Sequence, residues 1–181
     1  MQTLPTPPPG GWTLSNFPSD VPTRTELIEG ELVWSAQTGW HMMAVTALQQ
    51  LLESEVPDEY VVVRRMAVKR SERSAPEPDL SIMHASAFDL DKSVLLPSEV
   101  LLVVEVIAPE SEERDREDKP VMYGAMGIPT FWLIERGPDD TPIVHEHQLY
   151  GGAYRLMRTH IGHLKTEIPF PIDVRLEAPT R

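Results

Sequence analysis

Residues 100–107, VLLVVEVI, form the most apolar run of the chain, and a single acid, Glu105, stands inside it. Eight residues suit a strand better than a helix, and a strand apolar on both faces belongs in the middle of a covered sheet. The rest of the chain must therefore supply neighbouring strands and covering layers. A glutamate in such a strand is rare unless it is paired, hydrogen-bonded or bound to metal. Alternation assigns Glu105 to the face shared by Val103 and Leu101.

The flanking sequence supplies those partners. Residues 39–56 carry Met42, Val45, Leu48 and Leu52 at three- and four-residue steps, an amphipathic helix with Thr38 as its cap and Pro57 as its stop. Residues 60–70 are β-branched and read as a strand, residues 71–78 as a polar, proline-punctuated turn, and residues 79–83 as a short strand. The loop APESEERDRED leads into a helix ending near Gly127, and residues 130–135 form a second buried strand. Residues 143–149 and 154–159 read as a hairpin around Gly151-Gly152. Residues 25–34 read as the end of a short helix, a turn at Gly30 and a strand. The order predicts an α/β fold with a mixed central sheet flanked by helices and a C-terminal hairpin.

Prolines 5, 7, 8, 9, 18 and 22 make residues 1–22 a flexible, non-helical lead-in. The compact domain is expected over residues 23–170, with a loose tail at 171–181 containing Pro171 and Pro179. At 181 residues and 41% hydrophobic content the chain has enough apolar surface for one core. The absence of cysteine removes disulfides, thiolate metal sites and a cysteine nucleophile. The start, MQTLPTPPPGGW, has neither a basic nor an apolar signal region, and no run reaches membrane-helix length, so a cytoplasmic location is expected. The net charge of −12 argues against a tight nucleic-acid binder, though not against an enzyme that meets its substrate transiently. The densest basic cluster, Arg64, Arg65, Lys69, Arg70 and Arg73, reads first as a solvated strand edge and loop.

A second acid bears on Glu105. Asp79 opens a strand directly after Pro78, and if the two strands are neighbours both carboxylates converge at one end of the sheet. A divalent ion could offset their repulsion. The structural alternative pairs Glu105 with Arg114 or Arg116 and leaves Asp79 as a turn residue. Asp115, Lys119 and Tyr123 are spaced four apart, one side of a helix, although Pro120 restricts where that helix begins. By spacing alone, an exposed Asp–Lys pair is the simpler reading. His145 and His147 alternate on one strand face without an evident third ligand, His41 could point toward the site but reads first as a helix-end histidine without a ligand role, and Trp132 as core.

In chain order, ELIEGEL from Glu26, EPDL from Glu77, VVEVIAP from Val103, then Asp115, Lys119 and Tyr123, then GIPTFWLI from Gly127, resemble the Uma-two-type family of putative restriction endonucleases within the PD-(D/E)XK nuclease superfamily. The resemblance spans about residues 24–160. It implies a restriction-endonuclease-like core and a Mg²⁺- or Mn²⁺-dependent phosphodiesterase acting on nucleic acid, DNA first, with a homodimer expected by analogy. By position, it implies Asp79, Glu105 and the Val106 carbonyl as metal ligands, Lys119 as the charge-stabilising lysine, Tyr123 as its support, and Glu26 as an acid of an N-terminal helix that joins the site through water. The superfamily lysine two residues after the acid is absent here, because Ile107 holds that position. Ile107 and the acidic charge keep a second expectation open, a catalytically weak or inactive binding or assembly protein of the same fold. A third is a purely structural α/β domain.

Overall fold

The structure, a computed structural model, describes residues 4–180. Strands β1 (Thr25–Ile28) and β2 (Glu31–Trp34) precede helix α1 (Gly39–Glu55), followed by β3 (Tyr60–Arg64), β4 (Ala67–Val68), β5 (Leu80–His84), β6 (Val94–Leu95) and β7 (Val100–Val106). Helix α2 (Lys119–Ala125) crosses over to β8 (Thr130–Arg136), and β9 (Pro142–Tyr150), β10 (Ala153–Ile161), β11 (His163–Thr166) and β12 (Ile172–Arg175) complete the chain. The central sheet has six strands in the order β10-β9-β8-β7-β5-β3. Only the β7–β8 pairing within it is parallel, so the sheet is mixed and the expected α/β class holds. The apolar run becomes β7, with β5 on one side and β8 on the other.

Alternation along β7 divides the core. Leu102, Val104 and Val106 face α1, meeting Ala44, Val45, Leu48 and Leu52 together with Trp132 and Ile134. Val103 faces the other layer with Phe131, Leu133 and the Tyr123 of α2. Each fully buried aliphatic side chain contributes about 1.5–3 kcal/mol. Leu101 departs from the expected alternation: the register slips between Ile82 and Met83, and Leu101 packs against the α1-side cluster. Met42 is half exposed, and the buried stripe of α1 runs instead through His41, Ala44, Val45, Leu48 and Leu52. The predicted cap is present, with Thr38 Oγ1 accepting the His41 amide at 3.2 Å.

Several expectations are corrected. Residues 25–29 are not a helix end. They form a hairpin with β2, closed by Glu29 and Gly30, both at positive φ (51° and 86°), as a two-residue mirror-image turn requires. The stretch read as one strand over 60–70 breaks at Arg65, whose φ is 55°. The tail expected to be loose is ordered in its first part: β12 pairs with β11, and Ile172 and Leu176 are buried against the α1-side core, while residue 181 lies outside the described residues. The proline-rich lead-in also docks, with the Trp12 amide donating to Gly30 O and the Leu14 amide to Glu72 O, each at 2.8 Å. Among the described residues no helix is long and apolar enough to cross a membrane.

Candidate metal centre

Sheet pairing brings the two acids together. Leu80 lies opposite Val104 in the antiparallel β5–β7 register, so Asp79, one residue before β5, falls opposite Glu105. Residues opposite one another share a face. Both acids are buried, and both line one small polar cavity with Glu26, Asp115, Arg24, Arg114 and Lys119. The cavity measures about 10 Å³, room for about one water.

Lys119 sits among the acids. Its Nζ lies 2.9 Å from Glu105 Oε1, 3.0 Å from Glu26 Oε1 and 3.4 Å from Asp115 Oδ1. Tyr123 Oη donates to Glu105 Oε1 at 2.6 Å. The difficulty posed by Pro120 is resolved by the turn that precedes it. Residues Arg114–Asp118 wind as a π-helical turn whose closing bond runs from the Lys119 amide to Arg114 O, and Pro120 falls in the first turn of α2, where a missing N–H costs nothing. Asp115, Lys119 and Tyr123 therefore do lie on one side. Glu26 reaches the site from strand β1, not from the helix expected for it.

Neither candidate arginine holds Glu105. Arg114 donates to Ser35 and lines the cavity, while Arg116 pairs with Glu112 and Glu135. The partners of Asp79 were not legible in the sequence. Arg24 Nη2 donates to Asp79 Oδ1 at 2.8 Å, and the Val106 amide donates to Oδ2 at 2.9 Å. His41 was read as a helix-end residue, but it is buried and its Nε2 lies 3.1 Å from Asp79 Oδ2. Gln37 Nε2 lies 2.7 Å from His41 Nδ1 and holds the ring from its other side. A polar residue in the first turn of α1, on the face that continues as Ala44, Val45, Leu48 and Leu52, was the available signal for His41. Arg24 had none.

The electrostatics separate the two acids. Burial would raise the Asp79 pKa, but the His41 hydrogen bond and charge, with Arg24 and Lys119, outweigh it and hold the carboxyl at about 2. Burial pushes Glu105 well above the usual carboxylate range, against the pull of Lys119 and with the help of Asp115, Asp79 and Glu26. Asp115 is raised as well, chiefly by burial. Lys119 is held well above its ordinary value: burial opposes its charge, but Glu105, Glu26, Asp115 and Asp79 prevail.

This donor set is all oxygen, which suits Mg²⁺ or Mn²⁺. Glu26 Oε2 and Asp115 Oδ1 are buried without a hydrogen-bond partner, a sign of unspent acceptor capacity. Among the described residues no three His, Cys, Asp or Glu side chains are gathered in a metal-holding arrangement. The oxygen chemistry of Asp79 and Glu105 suits a divalent ion, while Arg24 and Lys119 are the cations seated on them here.

The remaining candidates behave as ordinary structure. His145 contacts Thr159 and Glu135, His147 Nδ1 bonds the His145 carbonyl, and Trp132 is buried in the core. In the basic cluster, Arg65, Lys69 and Arg70 pair with Glu77, Glu72 and Glu29.

No curated protein matches the chain. Its fold is shared with a crystal structure described as a putative nuclease belonging to DUF820 from Anabaena variabilis ATCC 29413, at 16% identity and a TM-score of 0.62, over 87% of this chain and 89% of that one. The sequence model of the Uma2 family, described as "Putative restriction endonuclease", matches residues 15–177. Matched over all but its two ends, the chain belongs to the Uma2 family of putative restriction endonucleases.

Proposed function

We propose that this protein is a metal-dependent nuclease that hydrolyses phosphodiester bonds in nucleic acid, with DNA as the first substrate to test. The observation that carries the reading is the convergence of Asp79 and Glu105, opposite one another across β5–β7, on a cavity that also contains Lys119. The family description and the DUF820 relative point the same way.

Asp79 and Glu105 would hold Mg²⁺ or Mn²⁺. The Val106 carbonyl would join them, since a strand sends a residue's carbonyl to the same side as its amide, and that amide already meets Asp79. A bound divalent ion supplies charge neutralisation at the phosphate and acidifies water. Lys119 offers its ammonium to the negative charge that grows on phosphorus oxygens during displacement. Tyr123 fixes the Glu105 carboxylate, and Glu26 and Asp115 hold the ammonium in place. The net charge of −12 favours brief encounters with a polyanion over tight binding.

Wild type and Glu105→Ala are to be compared on supercoiled and linear DNA with Mg²⁺ or Mn²⁺. Loss of cleavage in the variant is expected, and equal cleavage by both proteins ends the assignment. One observation favours a weaker enzyme or a binding protein of the same fold: the oxygens of Asp79 already meet Arg24, His41 and the Val106 amide, and Ile107 stands where the superfamily lysine belongs. Calorimetry with Mn²⁺ separates the readings, because the nuclease requires binding that Asp79→Ala abolishes.

A further inference from the structure

Asp79 does not hold its partners equally. Oδ2 meets the Val106 amide, part of strand β7, and His41, fixed on helix α1 with its side chain 2% exposed. Oδ1 meets Arg24, whose side chain is 19% exposed and which comes from the segment just before β1. The Arg24 backbone has φ 72°, a left-handed conformation that non-glycine residues seldom adopt and that is kept only where the surroundings enforce it. Its Nε is buried with no hydrogen-bond partner among the described residues. Arg24 is thus the partner of Asp79 with a route to water, and part of its own donor capacity is unused. The cavity it lines has room for about one water, too little for a divalent ion and the waters such an ion keeps.

From this geometry we infer that Arg24 is the resident cation of the site. It occupies the oxygen of Asp79 that the divalent ion needs, and the ion binds by displacing it. The inference rests on the proposed metal-dependent reading. Asp79 therefore exchanges one positive partner for another, and its charge stays compensated when the ion is absent. Metal affinity is lowered by the cost of moving the guanidinium, and the side chain is a positioning residue whose release opens the site. A merely structural Arg24 predicts the opposite sign: its loss would loosen the site and weaken the ion's hold.

The test is Mn²⁺ binding by isothermal calorimetry to the full chain as wild type, Arg24→Gln and Arg24→Lys, with Arg136→Ala as a control for an arginine paired elsewhere, with Asp140. Arg24→Gln is expected to bind Mn²⁺ at least about tenfold more tightly than wild type, equal to about 1.4 kcal/mol. Arg24→Lys, which keeps a shorter cation, is expected to fall between the two, and Arg136→Ala to match wild type. In thermal melts Mn²⁺ should raise the Tm of Arg24→Gln more than that of wild type, which shows that the variant is folded. Equal or weaker binding by Arg24→Gln, with wild type still binding, overturns the competition while leaving the metal site standing. No Mn²⁺ binding by any of the proteins removes the metal site, and the competition with it.

Discussion

Replacing Lys119 with methionine removes a positive charge and keeps much of the side chain's length. Lys119 is 3% exposed, and its Nζ stands within 3.4 Å of Glu105, Glu26 and Asp115. Without it three buried carboxylates face one another around a small polar cavity. Removing one partner of a buried ion pair costs about 3–5 kcal/mol. For a domain of this size each kcal/mol lowers Tm by about 2–4 °C, so a fall of roughly 6–20 °C is expected near neutral pH. The penalty has a pH dependence of definite sign. Burial, with Asp115, Asp79 and Glu26, holds the Glu105 carboxyl well above 4.5 even though Lys119 pulls it down. Above that value the folded protein keeps a proton that the unfolded chain has released, so stability falls as pH rises through the window between the two. Losing Lys119 extends the window upward. The gap between variant and wild type should therefore widen as pH rises above the ordinary carboxylate range, in urea or thermal unfolding followed by circular dichroism. A gap below about 1 kcal/mol, the range of an exposed pair, refutes the claim that Lys119 compensates these acids. A gap that stays constant as pH rises refutes it equally.

Asp79 should leave a separate mark at acid pH. Its carboxyl sits at about 2 instead of 3.8, so it contributes about 2 kcal/mol that is fully present above 3.8 and lost as pH falls through about 2. Acid unfolding of Asp79→Asn should lack that limb, and an acid profile identical to wild type would contradict the assignment. Tyr123→Phe removes the donor 2.6 Å from Glu105 and leaves the ring in place, at an expected cost of about 1–3 kcal/mol in urea unfolding. An unchanged midpoint would mean that the hydroxyl does not satisfy the acid.

Much of the architecture was legible because strong local signals agreed with the tertiary outcome. The run around Glu105 was a central strand, Thr38 and Pro57 bounded α1, and Gly151-Gly152 closed the β9–β10 hairpin. The site was legible where it depended on strand pairing: Asp79 and Glu105 met because β5 and β7 are neighbours. Reading failed where a residue took an unusual backbone conformation. Glu29, in the left-handed region beside Gly30, is an uncommon turn residue, so the β1–β2 hairpin was taken for a helix end and Glu26 was put on the wrong kind of element. Arg24 and His41 escaped for another reason. They lie 55 and 38 residues from Asp79 in sequence, and no periodicity carries information across such a gap. The pairing of β11 with β12 was hidden by the prolines that flank it.

Delivering the ammonium from α2 changes what the end of β7 is free to do. The Ile107 amide continues the sheet by donating to Ile134 O at 2.9 Å, while its side chain lines a neighbouring groove with Trp40, Pro109 and Arg136. A lysine at that position would tie the groove wall to the reaction chemistry. On the nuclease reading proposed above, with the charge supplied by the crossover helix, that wall is free to change in shape and polarity through substitutions at one strand terminus while the acids and their ammonium stay as they are.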